Sequence, residues 1–135
     1  MRVLSLSLML ILAALITPSS LLACSCAGEE RPKEALSESD AVFTGRAVRE
    51  RIADGMRELS FDIQTVWKGA LSRSVIVMAP VSGAMCGYPF KLGPTYIVYA
   101  RRLPLGLHTG LCDRTRPIEE AGRDLHALGQ PRTLK

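Results

Sequence analysis

Four cysteines are the residues of this chain best suited to chemistry, and they stand at positions 24, 26, 86 and 112. A cysteine can carry a lipid, ligate a metal, act in a redox pair or form a structural disulfide. The stretch LLACSCAG, residues 21–28, places two of them one residue apart directly after a long apolar run. The rest of the sequence has to decide among these four kinds of chemistry.

The apolar run at the start of the chain has the pattern of a secretory signal peptide. Its only charged residue is Arg2, and the stretch from Val3 to Ile16 contains neither a charge nor a proline. This stretch is shorter than the roughly 20 residues that span a bilayer, and a small residue precedes the first cysteine. We therefore predict a signal peptide over residues 1–23, with an uncleaved anchor as the alternative. Cleavage after Ala23 would make Cys24 the first residue of a secreted or periplasmic chain.

An even number of cysteines in a small exported domain predicts two disulfides. A bond between Cys24 and Cys26 would close a very small, strained ring, which leaves two connectivities open. In both of them the N-terminal segment is tied to two distant places. Residues i and i+2 of an extended segment point to the same side, so both cysteines can face the domain. Such long loops contribute about 4 kcal/mol each in the chain-entropy model.

The other uses of these cysteines fit the sequence less well. Residues 21–24 loosely match a lipoprotein box, but a lipid on Cys24 would leave three thiols and one without a partner. We therefore predict no membrane contact unless Cys24 is lipidated. A zinc site of the chain's own would draw on His108 and His126, which fit a strand and a helix face as ordinary residues. The redox motif C-x-x-C is absent, so no cofactor is predicted.

The charge pattern excludes some partners and gives no support to an enzyme. The formal charge is +4, and removing residues 1–23 with Arg2 leaves +3. The basic residues are scattered and form no stripe interleaved with aromatic residues, so no nucleic-acid partner is predicted. His108 and Asp113 are close in sequence, but neither a nucleophile elbow nor a paired acid motif accompanies them. We expect a monomer without catalytic residues.

Five strands and one or two helices are predicted to position the cysteines. A helix is expected from about Pro32 to Ser37, and a long hairpin over residues 41–52 and 57–68 turns at Asp54-Gly55. Strands are expected at SVIVMAP, TYIVYAR and LGLHTGLC. A last helix starts at Pro117, with an apolar stripe formed by Ile118, Ala121, Leu125 and Leu128. The pattern predicts a mainly β fold over residues 24–135, a five-stranded closed barrel resembling an OB fold with flanking helices.

The order of these features resembles the N-terminal, netrin-like domain of the tissue inhibitors of metalloproteinases. The shared features are the start Cys24-Ser25-Cys26, VWKG at the end of the second strand, and the cysteines of MCGY and HTGLCDRT. The resemblance covers nearly the whole mature chain and implies the disulfides Cys24–Cys86 and Cys26–Cys112. The third disulfide and the separate C-terminal domain of the animal inhibitors have no counterpart in these residues. In this respect the chain is more similar to the single-domain prokaryotic relatives.

The resemblance also implies a mechanism and a partner. The main-chain nitrogen and oxygen of Cys24 would chelate the catalytic zinc of a target metalloprotease, and Ser25 would enter its specificity pocket. This chemistry requires a free, neutral amine on Cys24, which an ordinary α-amino pKa of about 7.7–8.0 permits near neutral pH. The alternative interpretation is a non-inhibitory extracellular or periplasmic OB-fold module that binds a protein or a glycan, in which Cys24 has only a structural role.

Overall fold

The computed structural model describes residues 24–132 and 134, so the predicted signal peptide lies outside the described residues. Within them, neither α-helix has the length and apolar character that a membrane crossing requires. The elements, in chain order, are α1 (Pro32–Glu38), β1 (Ala41–Ala53), β2 (Met56–Lys68), β3 (Ser74–Pro80), β4 (Thr95–Leu103), β5 (Gly106–His108), β6 (Arg116–Pro117) and α2 (Gly122–Leu128). The predicted mainly β fold is confirmed.

The long hairpin of β1 and β2 is confirmed. Ala53 pairs with Met56, which leaves Asp54 and Gly55 as the two residues of the turn. Both have positive φ angles, 51° and 74°, and such a turn follows the twist of the two strands. The register shifts beside Gly45, where a β-carbon would lie 3.0 Å from the Asp62 carbonyl oxygen. Gly45 therefore lies at an irregularity of the ladder.

The strand pairings form a closed ring. The order β1-β2-β3-β5-β4 returns to the start because β4 also pairs with β1, and β6 joins β4 as a sixth strand. The pairing of β3 with β5 is parallel, and the other pairings are antiparallel. β5 leads directly into the loop that carries Cys112, so the ring fixes one of the two cysteine-bearing loops.

Aromatic side chains fill much of the space inside the ring. Phe61 contacts Phe43 edge to face at a centroid distance of 5.7 Å and Phe90 at 5.5 Å. Tyr96 lies 5.0 Å from Phe90 in a similar arrangement. All four residues are buried, and aromatic pairs in this geometry are favourable beyond the area they bury. A second, smaller cluster, in which Val42, Ile97 and Tyr99 pack with Ala35 and Ala121, joins the helical segments to the sheet.

The C-terminal helix begins later than the sequence predicts. Pro117 has an extended backbone, with φ −58° and ψ 148°, and it pairs with Tyr96 as part of β6. A 3-10 turn over Ile118–Glu120 follows, and the α-helix starts at Gly122. The predicted apolar stripe was wrong at Leu125, which is 36% exposed, whereas the neighbouring Asp124 is fully buried. The partners of Asp124 explain this difference.

Candidate functional site

Two disulfides hold the N-terminal segment of the described chain. Cys24 is bonded to Cys86 and Cys26 to Cys112, and no free cysteine remains in residues 24–132. The prediction of two disulfides is confirmed, and the pairs are those that the resemblance implies. The first bond spans 62 residues of sequence and the second spans 86. Both ends of the segment Cys24–Cys26 are therefore attached to loops that are distant from it in the sequence.

The two loops that receive these disulfides are joined to each other. The backbone N–H of Leu111 donates to the Cys86 carbonyl oxygen at 2.7 Å, and the N–H of Gly87 donates to Ser82 at 2.9 Å. Cys86 has a left-handed conformation with φ 59°, which turns the chain back at this point. The loops 82–87 and 109–113 are thus joined into one unit, which carries the disulfide partners of Cys24 and Cys26. We call this unit the base.

The surface above this base is accessible and partly apolar. Ser25 and Cys26 are exposed and Cys24 is partly exposed. Met85, which precedes Cys86, is 54% exposed, and Leu111, which precedes Cys112, is 45% exposed. We call Cys24, Ser25, Met85 and Leu111 the N-terminal surface. Its exposed apolar side chains are suited to contact with another protein.

The close approach of the two loops predicts a specific effect of mutation. A β-carbon on Gly110 would lie 2.7 Å from the Cys86 carbonyl oxygen, so Gly110→Ala must push the loops apart. We expect this variant to lower the free energy of unfolding by about 1–3 kcal/mol, as overpacked sites do. Gly83→Ala in the facing loop 82–87 is the control, because a β-carbon there meets nothing within 4 Å. Equal urea midpoints for the two variants would contradict the contact.

A buried arginine connects the segment after Cys26 to α2. The Arg114 side chain is 3% exposed. Its Nε donates to Asp124 Oδ1 at 2.5 Å and its Nη2 donates to Oδ2 at 3.1 Å. Its Nη1 donates to the Glu30 carbonyl oxygen and, at 3.1 Å, to Glu29 Oε1. The guanidinium therefore holds the backbone just beyond the disulfide segment against the C-terminal helix.

Asp124 is the centre of this network, and it was not predicted. Besides the guanidinium, its carboxylate accepts a hydrogen bond from the Tyr99 hydroxyl at 2.7 Å. Burial, followed by this hydrogen bond to Asp124, raises the pKa of Tyr99 well above its usual range. In the sequence, Arg114 reads as one of several scattered charges, and Asp124 reads as a polar residue beside an apolar stripe. The one signal in the sequence is that Arg114 follows Cys112 by two residues, which places it near a disulfide but does not identify its partners.

Glu29 lies among three arginines at the edge of this network. Its carboxylate accepts hydrogen bonds from Arg116 at 3.0 Å and from Arg123 at 3.3 Å, as well as from Arg114. The hydrogen bond from Arg116, followed by the positive charges of Arg114, Arg116 and Arg123, lowers the pKa of Glu29 below its ordinary value of 4.5. The ionised carboxylate is thus favoured in the folded protein.

The lowered pKa of Glu29 predicts how its contribution to stability depends on pH. Because the folded state favours the ionised form, the contribution is present above pH 4.5 and is lost as the pH falls through the folded-state pKa. Glu29→Gln should therefore lower the thermal midpoint near pH 7, and its difference from the native protein should shrink as the pH falls from 7 to 3. Glu119→Gln is the control, since Glu119 is exposed and has no ion pair among residues 24–132. A difference between native protein and Glu29→Gln that is constant over this pH range would contradict the prediction.

Neither histidine belongs to the cluster of cysteine sulfurs, so neither completes a metal site with them. His108 is in β5, and its Nε2 atom is buried without a hydrogen-bond partner among the described residues. His126 is exposed on α2. Asp113 accepts a hydrogen bond from the Gly110 N–H at 2.7 Å and lies 3.3 Å from Arg101, and burial raises the pKa of its carboxyl. These contacts indicate that Asp113 stabilises the loop of Cys112 and does not pair with His108.

No protein family matches the sequence, and no curated protein matches it.

Proposed function

We propose that the chain is exported, begins at Cys24 after cleavage, and inhibits a zinc metalloprotease through the main chain of that residue. The α-amino nitrogen has a lone pair and the carbonyl oxygen lies close to it, so the two atoms can chelate a metal with an open position. Chelation would displace the water molecule that the zinc activates. The observation that carries the proposal is that two disulfides fix an accessible Cys24-Ser25 pair on one rigid base.

Rigidity of this pair is what an inhibitor of this kind requires. A flexible terminus loses conformational freedom when it binds, and this loss lowers affinity. Here Cys24 is attached to Cys86, and the segment after Cys26 is held by Arg114 through the Glu30 carbonyl oxygen. The residues between these attachments therefore have little freedom left to lose on binding.

The side chains around Cys24 support contact with a protease cleft. Ser25 is exposed and small, so it can enter a pocket beside the metal without reorganising the loops. Met85 and Leu111 supply exposed apolar area on the two loops that carry the disulfide partners. An interface with an apolar centre around a main-chain ligand would bury these side chains together.

The same proposal includes an OB-type barrel as the scaffold. Its support is the cyclic order β1-β2-β3-β5-β4, with five strands in one ring and aromatic side chains inside it. In such a scaffold the cysteine-bearing loops leave the ends of β3 and β5, which run parallel to each other. Parallel neighbours end at the same edge, so both loops meet there.

The test is a panel of zinc metalloproteases assayed with two forms of the mature protein. One form begins at Cys24, and the other carries one additional alanine before it. The extension converts the amine to an amide and removes the chelating lone pair, so it should abolish inhibition while both disulfides and the thermal midpoint stay unchanged. Inhibition by the native form should strengthen from pH 6 to pH 8, because an amine with a pKa of about 7.7–8.0 becomes neutral in this range.

Ser25→Gly serves as the matched variant, since it changes the pocket contact and leaves the chelating atoms in place. It should alter the ranking of the proteases without removing inhibition. Equal inhibition by the native and extended forms, or none by the native form at micromolar concentration, would show that Cys24 does not chelate. The N-terminal surface would then be better explained as the contact site of a non-inhibitory binding module.

A further inference from the structure

Three of the four cysteine sulfurs form a close cluster. The Sγ atoms of Cys24, Cys26 and Cys112 all lie within 4.8 Å of one another. Cys24 Sγ and Cys112 Sγ belong to different disulfides and are 3.9 Å apart. The fourth sulfur, Cys86 Sγ, is outside this cluster but is bonded to one of its members, Cys24 Sγ. The two disulfides are thus neighbours rather than separate cross-links.

We propose that the reduced protein binds one zinc ion through these four thiolates. A zinc–sulfur distance of about 2.3 Å in a tetrahedral site places neighbouring sulfurs about 3.8 Å apart. The separation of Cys24 Sγ and Cys112 Sγ already has this length. Reduction would let the two bonded pairs move apart to the same spacing, with each pair of α-carbons starting 5.3 Å apart. The oxidised protein has no such site, since a disulfide sulfur is not a thiolate.

The base of the proposed site does not depend on the disulfides. The hydrogen bond from Leu111 to Cys86 holds the two loops together, and Arg114 holds the backbone at Glu30. Reduction releases Cys24 and Cys26 from their disulfide partners, and residues 25–28 are exposed, so in the reduced protein this segment can adjust without disturbing the core. Two of the four ligands would come from these loops, and the other two would come from the adjustable segment.

The reaction balances with an external dithiol as the reductant. Each protein disulfide takes up two electrons and two protons, and the dithiol is oxidised to its own disulfide. Zinc then replaces the four thiol protons, which are released. Two molecules of the dithiol's disulfide form reverse the process: they take up four electrons and four protons, the four thiolates become two disulfides, and the zinc is released. Disulfide formation and zinc binding would therefore exclude each other at these four residues.

The test is a cobalt titration of the reduced mature protein without oxygen. The protein is reduced with a phosphine, separated from it, and titrated with Co²⁺ alone. We expect one equivalent to produce the intense visible absorption of a tetrahedral cobalt thiolate, and Zn²⁺ to abolish it by displacement. The oxidised protein should give no such spectrum. His108→Ala and His126→Ala should leave the spectrum unchanged, whereas Cys86→Ser and Cys112→Ser should weaken it and shift it to shorter wavelength.

A second measurement covers the case in which reduction unfolds the chain. One equivalent of Zn²⁺ should then restore the near-ultraviolet circular dichroism of the folded protein, because metal binding and folding are coupled in such sites. A reduced chain that stays unfolded with zinc would overturn the proposal. So would a cobalt spectrum that is the same in concentrated urea, or one that persists in full after Cys86→Ser. None of these outcomes depends on whether the protein inhibits a protease.

Discussion

Asp124→Asn is expected to lower the free energy of unfolding by about 3–5 kcal/mol, the range for breaking one partner of a buried ion pair. The asparagine has nearly the same shape but no charge, so the guanidinium of Arg114 loses its buried counterion. Arg114 is 3% exposed and Asp124 is 0% exposed, so water cannot replace the lost interaction. Urea unfolding followed by circular dichroism would measure the change in midpoint.

Two further variants show whether the effect comes from the buried charge. Arg114→Met combined with Asp124→Leu removes both charges, and it should recover much of the loss because apolar replacements of buried pairs are often tolerated. Glu58→Gln breaks the pair with Arg51, whose side chain is 68% exposed, and should cost no more than about 1 kcal/mol. A loss below about 1 kcal/mol for Asp124→Asn would mean that the network is not a major source of stability.

Asp124 also illustrates what the sequence could not predict. Buried carboxylates are rare and require partners, and the partners of Asp124 come from β4 and from the loop after Cys112. No spacing along the chain relates these three positions, because the fold alone brings them together. The helix pattern therefore favoured Leu125 as a core residue, and the structure buries Asp124 instead.

The strands were predictable where the signal is local. The alternation from Leu59 to Trp67 and the turn residues Asp54-Gly55 are sufficient to place the β1–β2 hairpin. Leu59, Phe61 and Ile63 are buried as the alternation predicts. The alternation fails after Ile63, where Val66 is buried and Thr65 and Trp67 are only partly buried. β6 has only two residues, Arg116 and Pro117, which is too short for any alternation. Pro117 resembles a helix start, and its pairing with β4 depends on a contact distant in sequence.

The disulfides were predictable from number and spacing, since an even cysteine count in a small domain that is predicted to be exported leaves few arrangements. Parity alone did not choose between the two connectivities that tie the N-terminal segment down. The choice depends on where the loops 82–87 and 109–113 lie in the fold. The structure places each beside one cysteine of the N-terminal segment.

Removing either disulfide is expected to lower the free energy of unfolding by about 4 kcal/mol in the chain-entropy model. The paired variants are Cys24→Ala with Cys86→Ala, and Cys26→Ala with Cys112→Ala, which leave no unpaired thiol. The sequence separations are 62 and 86 residues. Because the entropy depends only on the logarithm of loop length, the two losses should differ by only about 0.3 kcal/mol. Urea midpoints of the two paired variants at one pH would measure both.

Comparing the two paired variants distinguishes two sources of stability: restriction of the unfolded chain by a disulfide, and native contacts around it. If the disulfides stabilise the protein by restricting the unfolded chain, the two paired variants will be equally destabilised. The surroundings of the two disulfides in the fold will then make no difference. Cys86 lies in the loop that bonds to Leu111, whereas Cys26 is followed by the segment that Arg114 holds. An expected result is therefore two nearly equal losses. A loss below about 1 kcal/mol for one pair, beside the full loss for the other, would show that native contacts in that loop already supply the restraint.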